Sequence, residues 1–341
     1  MFETLCLASL FLVFTTVAPH LPGEHWLIRV WEFPRVQLVF LMVLCLAGWG
    51  YLYSIAPARN IVGLSLLLII SVIYQCFWIV PYTLLGPREV SKVKKPNEPR
   101  VFSILTSNVY MHNTNYQGLI DLVRKHKPAF LVTLESNDDW GEGLEPLHDT
   151  YPHRLACPLE NLYGMHFYSQ LPLKDAQIRY IVEDDVPSMQ IEINIDGEPM
   201  TLYLLHPKPP SPTENKTAGP RDEELTLVGQ EIADKQGPIV VAGDLNDVAW
   251  SPTTRKFRKL SHARDPRRGR GFFNTFHAKY PLIRWPLDHV FHTDHFDLVK
   301  IQRLPGYGSD HFPLLTTLQL TRTGECSESN SAPVTDEAPG C

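Results

Sequence analysis

The stretch PIVVAGDLND, Pro238 to Asp247, decides how this chain is read. Ile239 to Ala242 are small, apolar or β-branched, the composition of a buried strand, and the run stops abruptly at Gly243. Asp244, Asn246 and Asp247 follow at once. A buried strand that delivers an acid and an amide at its carboxyl end is a common way for α/β proteins to place chemistry. Taken alone, the segment reads equally well as a strand closing in an Asx-rich turn. Asp247 reads as a turn or helix-entry residue.

Other apolar segments end in the same manner. SILTSNV brings Asn108, LVTLES brings Glu135, LYLLHPKPP brings His206, and PLDHVF brings Asp288 and His289. GYGSDHFPL places Asp310 and His311 just before the last apolar run. Any one of these alone reads as a turn or an ordinary satisfied polar group. Six together are hard to explain as turns. Carboxylates and amide oxygens are hard donors, suited to Mg²⁺ or Mn²⁺, which keep several waters and accept phosphate oxygens. Histidines beside carboxylates supply protons or hydrogen-bond a developing charge near neutral pH. The combination reads as a phosphoester-hydrolysing site. The six cysteines form no CxxC pair and no zinc spacing, and nothing in them reads as a disulfide framework.

The 341 residues suffice for one sizeable domain and an extra segment, and the composition divides sharply near Val80. Before it, Thr4–Ala18, Val36–Tyr53 and Ile61–Val80 are uncharged apolar runs. The second and third, of about eighteen and twenty residues, are long enough to span a bilayer; the first is shorter and reads as a short span or a signal-peptide core. Trp26, Trp31, Trp49, Tyr51, Tyr53, Trp78 and Tyr82 gather near their ends, as interfacial aromatics do. Arg29, Arg35, Arg88, Lys92, Lys94, Lys95 and Arg100 fall on one side of a three-span arrangement, and Arg59 on the other. The positive-inside rule then predicts an integral protein of the plasma (inner) membrane with its soluble domain in the cytoplasm. The full chain carries a net charge of −6, and the acidity lies beyond the linker. That balance argues weakly against a protein that coats nucleic acid by charge alone.

A basic, proline-containing linker is expected over residues 86–100. Beyond it, strands are expected at Val101–Leu105, Ala129–Leu134, Met165–Ser169, Ala176–Val182, Met189–Ile195 and Met200–Leu205. After the opening stretch they continue at Leu287–His292, Leu298–Arg303 and Leu314–Leu320, with helices at Tyr116–His126 and Glu223–Lys235. The Ser-, Glu- and Pro-rich tail from Thr321 reads as disordered.

The order GDLN (Asp244, Asn246), LDH (Asp288) and SDH (Asp310, His311), preceded by Asn108 and Glu135, resembles the endonuclease/exonuclease/phosphatase superfamily over about residues 100–320. That superfamily includes deoxyribonuclease I, abasic-site endonucleases, inositol-phosphate phosphatases and neutral sphingomyelinases. The resemblance implies a four-layer α/β sandwich, two mixed β-sheets face to face with helices on both outer sides, here preceded by transmembrane helices. It implies Glu135 as the principal Mg²⁺ ligand, with Mn²⁺ as the alternative ion, Asn108 lining the same pocket and Asp310 as an additional metal-site carboxylate. Asp244 would orient or deprotonate the attacking water, and Asn246 would hold the scissile phosphate. His311 would stabilise the pentacovalent phosphate, kept in its tautomer by Asp288, and His206 would donate a proton. Two positions depart from the family pattern: Leu134 stands where Gln often precedes the metal Glu, and Gln170 where a basic residue often follows the serine of the middle strand.

Lys208 and Arg221 are candidate phosphate contacts, although an ordinary exposed loop accounts for this segment as well. Arg255–Arg270 carries eight basic residues and reads either as a grip for a polyanion or anionic lipid, or as a solvated helix and loop. The whole is read as a membrane-tethered, Mg²⁺-dependent phosphoesterase cleaving phosphodiester bonds in nuclease fashion. Its partners would be the lipid bilayer and a phosphoester substrate, nucleic acid or phospholipid headgroup. Cleavage of a phospholipid or lipid-linked headgroup is the alternative. A noncatalytic membrane-bound binding module of the same fold is the reading from a different class.

Overall fold

The computed structural model describes residues 2–57 and 59–321. The tail expected to be disordered lies, beyond Thr321, outside the described residues. The chain opens with α1 (Phe2–Val17), the short α2 (Trp26–Arg29), α3 (Arg35–Ile55) and α4 (Arg59–Ile79). Three helical stretches, Phe2–His20, Arg35–Ile55 and Asn60–Tyr82, are long and apolar enough to cross a membrane. The first is therefore longer than the uncharged run in the sequence, because the helix begins before Thr4 and extends through Pro19. α1, α3 and α4 pack on Leu12, Leu38, Met42, Trp49, Ile61 and Leu68. Buried polar pairs tie the bundle together: Trp49 Nε1 donates to Ser9 Oγ at 2.8 Å and Arg35 Nη1 to Gln75 Oε1 at 2.6 Å. Such pairs hold apolar helices where burial alone gives no preference for helix over lipid.

The α/β part begins with β1 (Val101–Asn108), α5 (Tyr116–His126), β2 (Phe130–Leu134), α6 (Asp138–Gly143), β3 (His153–Cys157) and β4 (Met165–Ser169). It continues with β5 (Leu173–Arg179), β6 (Ser188–Ile195), β7 (Glu198–Leu205), α7 (Gly219–Asp234) and β8 (Ile239–Asp244). α8 (Pro252–Ser261), β9 (Asp288–His292), β10 (Phe296–Arg303) and β11 (Leu314–Leu320) complete it. One sheet has the order β10-β11-β1-β2-β4-β3 and the other β5-β6-β7-β8-β9. In each, one parallel pair (β1–β2, β7–β8) sits among antiparallel ones. Ile104, Phe130 and Val132 of the first sheet meet Ile191, Leu202, Val240 and Ala242 of the second in a shared core. On the outer faces, α5 and α6 cover the first sheet through Leu119, Val123 and Trp140. α7 and α8 cover the second through Leu225, Val228 and Phe257. The expected four-layer sandwich is the fold.

Several elements differ from the sequence reading; α6 was not expected, and α7 begins at Gly219, before the expected Glu223. β3 was not expected, because His153–Cys157 alternates exposed and half-buried positions at a sheet edge and lacks an apolar run. β5 starts three residues earlier than its apolar residues indicate, since its antiparallel register with β6 extends to Leu173. α8 lies within the basic stretch, its Ser251 cap accepting from Thr254 N.

The membrane-type helices and the sandwich share a core. Trp78, Ile79 and Tyr82 pack with Val248, Ala249, Trp250 and Leu287, and Tyr82 Oη donates to the Ala249 carbonyl at 2.8 Å. The segment between α1 and α3 adds a β-bridge from His25 to Thr217 and a bond from Trp250 Nε1 to the Glu32 carbonyl at 2.7 Å. The basic stretch is engaged internally. Arg258 pairs with Glu89 at 2.5 Å, Arg267 with Asp265 at 2.8 Å and Arg264 with Asp294 at 3.5 Å, while Arg255 lies 3.7 Å over the Trp78 ring. Arg258 and Arg255 thus fasten the linker and the last long helix to the sandwich, while Arg264 and Arg267 pair within the sandwich itself.

Candidate active site

β1 and β2 run parallel in one sheet and β7 and β8 in the other, and the bond from Asn108 to Asp244 shows that their carboxyl ends meet at the same edge. Asn108, Glu135, His206, Asp244 and Asn246 therefore converge on one edge of the sandwich. Asp288 enters from the start of β9, directly opposite Asp244 in the register, and Asp310 and His311 from the loop before β11. Local backbone explains why the polar residues turn inward. Glu135 and Asn246 have left-handed φ values of 56° and 50°. A strained conformation of this kind costs about 1–3 kcal/mol and survives where the surroundings fix it, commonly at functional sites. Gly243 has φ of 147°, and a Cβ there would run into the Leu205 carbonyl oxygen. Only glycine lets β8 lie close enough to β7 to present Asp244.

The side chains form a connected set. Asn108 Nδ2 donates to Glu135 Oε1 at 2.7 Å and to Asp244 Oδ2 at 3.2 Å. His311 Nδ1 lies 2.8 Å from Asp288 Oδ2, and its Nε2 lies 3.5 Å from Asp244 Oδ2. His206 Nε2 is 4.0 Å from the same Asp244 oxygen. Asp244 Oδ1 accepts from the Asn246 backbone, and Asn246 Nδ2 donates to the Pro207 carbonyl at 3.0 Å. Ser309 Oγ donates to the Asn108 carbonyl at 2.8 Å and accepts from His311 N at 3.0 Å, which fixes the SDH loop on β1.

Charge sorts these groups. Burial opposes protonation of His311, but the Asp288 and Asp244 carboxylates prevail and raise it to about 10, so it is an imidazolium at neutral pH. Burial pushes the Asp244 carboxyl up, and His311 pulls it down. Burial lowers His206 to about 4, leaving it neutral, with Nδ1 buried and without a hydrogen-bond partner. Burial raises Glu135 to about 8 in the absence of a cation; the Asn108 amide lowers it and the carboxylates of Asp310 and Asp244 raise it further.

Two acidic groupings are thus unlike. Asp244, Asp288 and His311 place one ligand atom each within 4.8 Å of one another. There the imidazolium already bonds to one carboxylate and faces the other, so the grouping is partly neutralised from within. Glu135 and Asp310 have no lysine or arginine beside them in the cleft. Glu135 and Asp310 are hard oxygen donors that fit Mg²⁺ or Mn²⁺, while the Asn108 amide nitrogen faces Glu135 and its oxygen accepts from Tyr110 N at 3.0 Å. In the other grouping, the buried Asp288 Oδ1 has no hydrogen-bond partner.

These residues form the floor of a cleft of about 610 Å³. Glu135, His206, Asn246, Asp310 and His311 line it; Asn108, Asp244 and Asp288 stand just behind. The two predicted phosphate contacts lie elsewhere. Lys208 binds Asp185 at 2.8 Å and Glu183 at 3.4 Å and does not line the cleft. Arg221 is fully buried, donating to the Asn246 carbonyl at 2.9 Å and to Asp222, 3.5 Å from Asp247. It positions the Asn246 backbone and is closed to a substrate. Asp247 is the hub expected at a helix entry, accepting from Val248 N, Ser251 Oγ and Thr254 Oγ1 at the start of α8. Tyr110, Tyr163 and Glu214 also line the cleft, and sequence reasoning missed them. They lie on connecting loops, without the strand-end signal that marked the others.

A family model described as Endonuclease/Exonuclease/phosphatase matches residues 105–311. The chain belongs to that family. The matched range contains every residue of the constellation from Asn108 to His311. Family membership makes the chain a hydrolase of phosphoester bonds, in a family generally dependent on divalent cations. No curated protein sequence matches it. Among solved structures, an endonuclease/exonuclease/phosphatase from Beutenbergia cavernae is similar at 16% identity and a TM-score of 0.53, covering 66% of this chain and 72% of that one. TDP2 of D. rerio, complexed with single-strand DNA product, is similar at 16% identity and a TM-score of 0.52, covering 64% and 99%. A functionally unknown conserved protein from Enterococcus faecalis follows at 16% identity and 0.51, covering 63% and 98%. At this identity the likeness is one of fold.

Proposed function

We propose that the chain is a membrane-tethered phosphodiesterase dependent on Mg²⁺, with Mn²⁺ able to replace it. The observation that carries the reading is the His311 ring set between the Asp288 and Asp244 carboxylates, with Glu135 and Asp310 lining the same cleft. Glu135 and Asp310 would hold the cation, which supplies charge stabilisation at phosphate oxygens, with Asn108 donating to Glu135 to orient it. Asp244 takes the proton of the attacking water as the water oxygen bonds to phosphorus. His311 faces the developing phosphorane charge, with Asp288 fixing its ring. The P–O bond to the leaving group then breaks, and the departing oxygen takes a proton from His311. Asp244, 3.5 Å away, can return it. His206, expected as a proton donor, is buried and neutral, its Nε2 4.0 Å from Asp244 Oδ2. Asn246 holds a phosphate oxygen at the cleft floor.

The test uses the full chain in detergent with bis(p-nitrophenyl) phosphate. Hydrolysis is expected with Mg²⁺, to be lost with chelator, and to fall roughly 10²-fold or more in Asp244→Asn and His311→Ala. Turnover that persists in chelator, or in both variants, would refute the assignment.

A further inference from the structure

The cleft has two kinds of wall, and only one comes from the sandwich. Its floor is the polar centre described above. One side is built by the segment joining the first two membrane-type helices: Trp26, Val30, Trp31 and Phe33 line it, together with Phe276 and Trp285 of the sandwich. That segment is held against the sandwich by specific bonds. Trp26 N donates to the Lys216 carbonyl at 3.0 Å, Ala218 N to the Glu24 carbonyl at 2.8 Å, and Arg29 pairs with Asp222 at 2.7 Å. Phe33 meets Trp285 edge to face at 5.8 Å.

The chain beside the ends of the membrane-type helices is apolar too. Leu282 is 83% exposed on a sandwich loop, beside exposed Tyr280 and Ile283, and its carbonyl accepts from Gln37 in the first turn of α3. Leu84 and Leu85, just beyond the last long helix, are 80% and 87% exposed. Exposed leucines beside the ends of membrane-type helices lie where a bilayer surface would meet them. By contrast, among the described residues no lysine or arginine lines the cleft. A groove for single-stranded nucleic acid needs cations along the backbone, and in the richest basic stretch of this chain Arg258 and Arg268 pair with Glu89 of the linker while Arg267 pairs with Asp265.

We propose that the cleft takes a lipid phosphodiester from the membrane in which the chain is anchored, with the anchor's own first loop forming the wall against which the apolar part of the substrate lies. This rests on the phosphodiesterase reading above for the chemistry at the floor. It adds that the substrate is a membrane lipid, and that Trp26 to Phe33 belong to the substrate site.

The full chain is reconstituted in vesicles of phosphatidylglycerol and phosphatidylethanolamine. Hydrolysis of these lipids is compared with that of a single-stranded DNA oligonucleotide and of bis(p-nitrophenyl) phosphate. The lipid is expected to exceed the oligonucleotide at least tenfold in kcat/KM, and Trp31→Ala is expected to lower the ratio of lipid to small-diester kcat/KM by tenfold or more. Preference for the oligonucleotide, or an unchanged ratio in Trp31→Ala, overturns the proposal. A binding measurement separates this inference from the chemistry: in Asp244→Asn, a photoreactive phosphatidylglycerol should crosslink within residues 26–34. Crosslinks confined to the long helices overturn the lipid site even where hydrolysis is observed. Crosslinks within residues 26–34 uphold it even where hydrolysis fails.

Discussion

At the scale of single residues, the site depends on groups that never touch a substrate. Arg267 is buried, donates from Nε to Asp265 Oδ1 at 2.9 Å, and reaches the Asp288 carbonyl at 3.2 Å and His289 Nδ1 at 2.6 Å. It thereby fixes the start of β9, where Asp288 turns toward His311. Burial acts to raise the Asp265 carboxyl, but the Arg267 guanidinium prevails and holds it at about 2, below its ordinary 3.8. A depressed carboxylate stabilises the fold above its unfolded value, and that contribution is lost as the pH falls through about 2. The size is about 2 kcal/mol. Asp265→Asn is therefore expected to lower the melting temperature at pH 7 and to differ less from the parent near pH 2.5, read by thermal unfolding of the full chain in detergent. A gap that widens on acidification would show that Asp265 is not the group held low. Asp288 and His311 were legible because they stand at strand ends in short polar motifs. Asp265 and Arg267 were hidden because their partners, His289 and the Asp288 carbonyl, lie more than twenty positions on, in a stretch whose eight basic residues looked alike.

At the scale of elements, the strands were legible wherever an apolar run ended in a polar residue, as at Leu131–Glu135 and Val240–Asp244. β3 was not, because its residues carry the signature of an edge, and α8 was hidden by its charges. The same gap misplaced Arg221. Basic character near a phosphate site suggested a substrate clamp, whereas the helical position turns the side chain under the loop that follows β8. Breaking a buried charged pair costs about 3–5 kcal/mol. Arg221→Ala is thus expected to lower the melting temperature and kcat together, since it leaves Asp247 without its guanidinium and frees the Asn246 carbonyl. A raised KM with an unchanged melting temperature would mark a substrate clamp instead. Gly243→Ala follows from the same geometry: its Cβ has no space beside Leu205, so β7 and β8 must separate. Loss of folded protein on expression is the expected result, and a folded, active Gly243→Ala chain would contradict the register of that pair.

At the scale of the whole molecule, sequence separates what the structure joins. Composition draws a boundary near Val80, with apolar runs before it and a soluble-looking chain after it. That boundary is real in composition and misleading in packing. Arg29 and Asp222 are 193 positions apart and pair at 2.7 Å, and Trp250 is buried between the apolar N-terminal helices and the sandwich. No local pattern encodes such contacts, because each partner reads as an ordinary charge or aromatic in its own segment. A consequence follows for any chain from which the anchor has been removed. Beginning at Asn97, it would expose Val248, Ala249, Trp250 and Leu287 and would leave Arg258, buried and paired with Glu89 in the full chain, without that partner. Burial of apolar surface is worth about 25 cal/mol per Å², so exposing a tryptophan and its neighbours costs several kcal/mol before the lost ion pair is counted. Trp250 lies just beyond Asn246 and Asp247, so the loosening falls on the loop that carries the site. The shortened chain is expected to melt at lower temperature than the full chain in detergent, to self-associate through the uncovered patch, and to hydrolyse bis(p-nitrophenyl) phosphate more slowly, as read by thermal unfolding, light scattering and initial rates. Restoring residues 86–96 should recover the Glu89 pairs and part of the stability, but not the apolar cover. A monomeric chain from Asn97 with the full chain's melting temperature and kcat would show that the anchor is a tether only, and would remove the packing on which its part in the site depends.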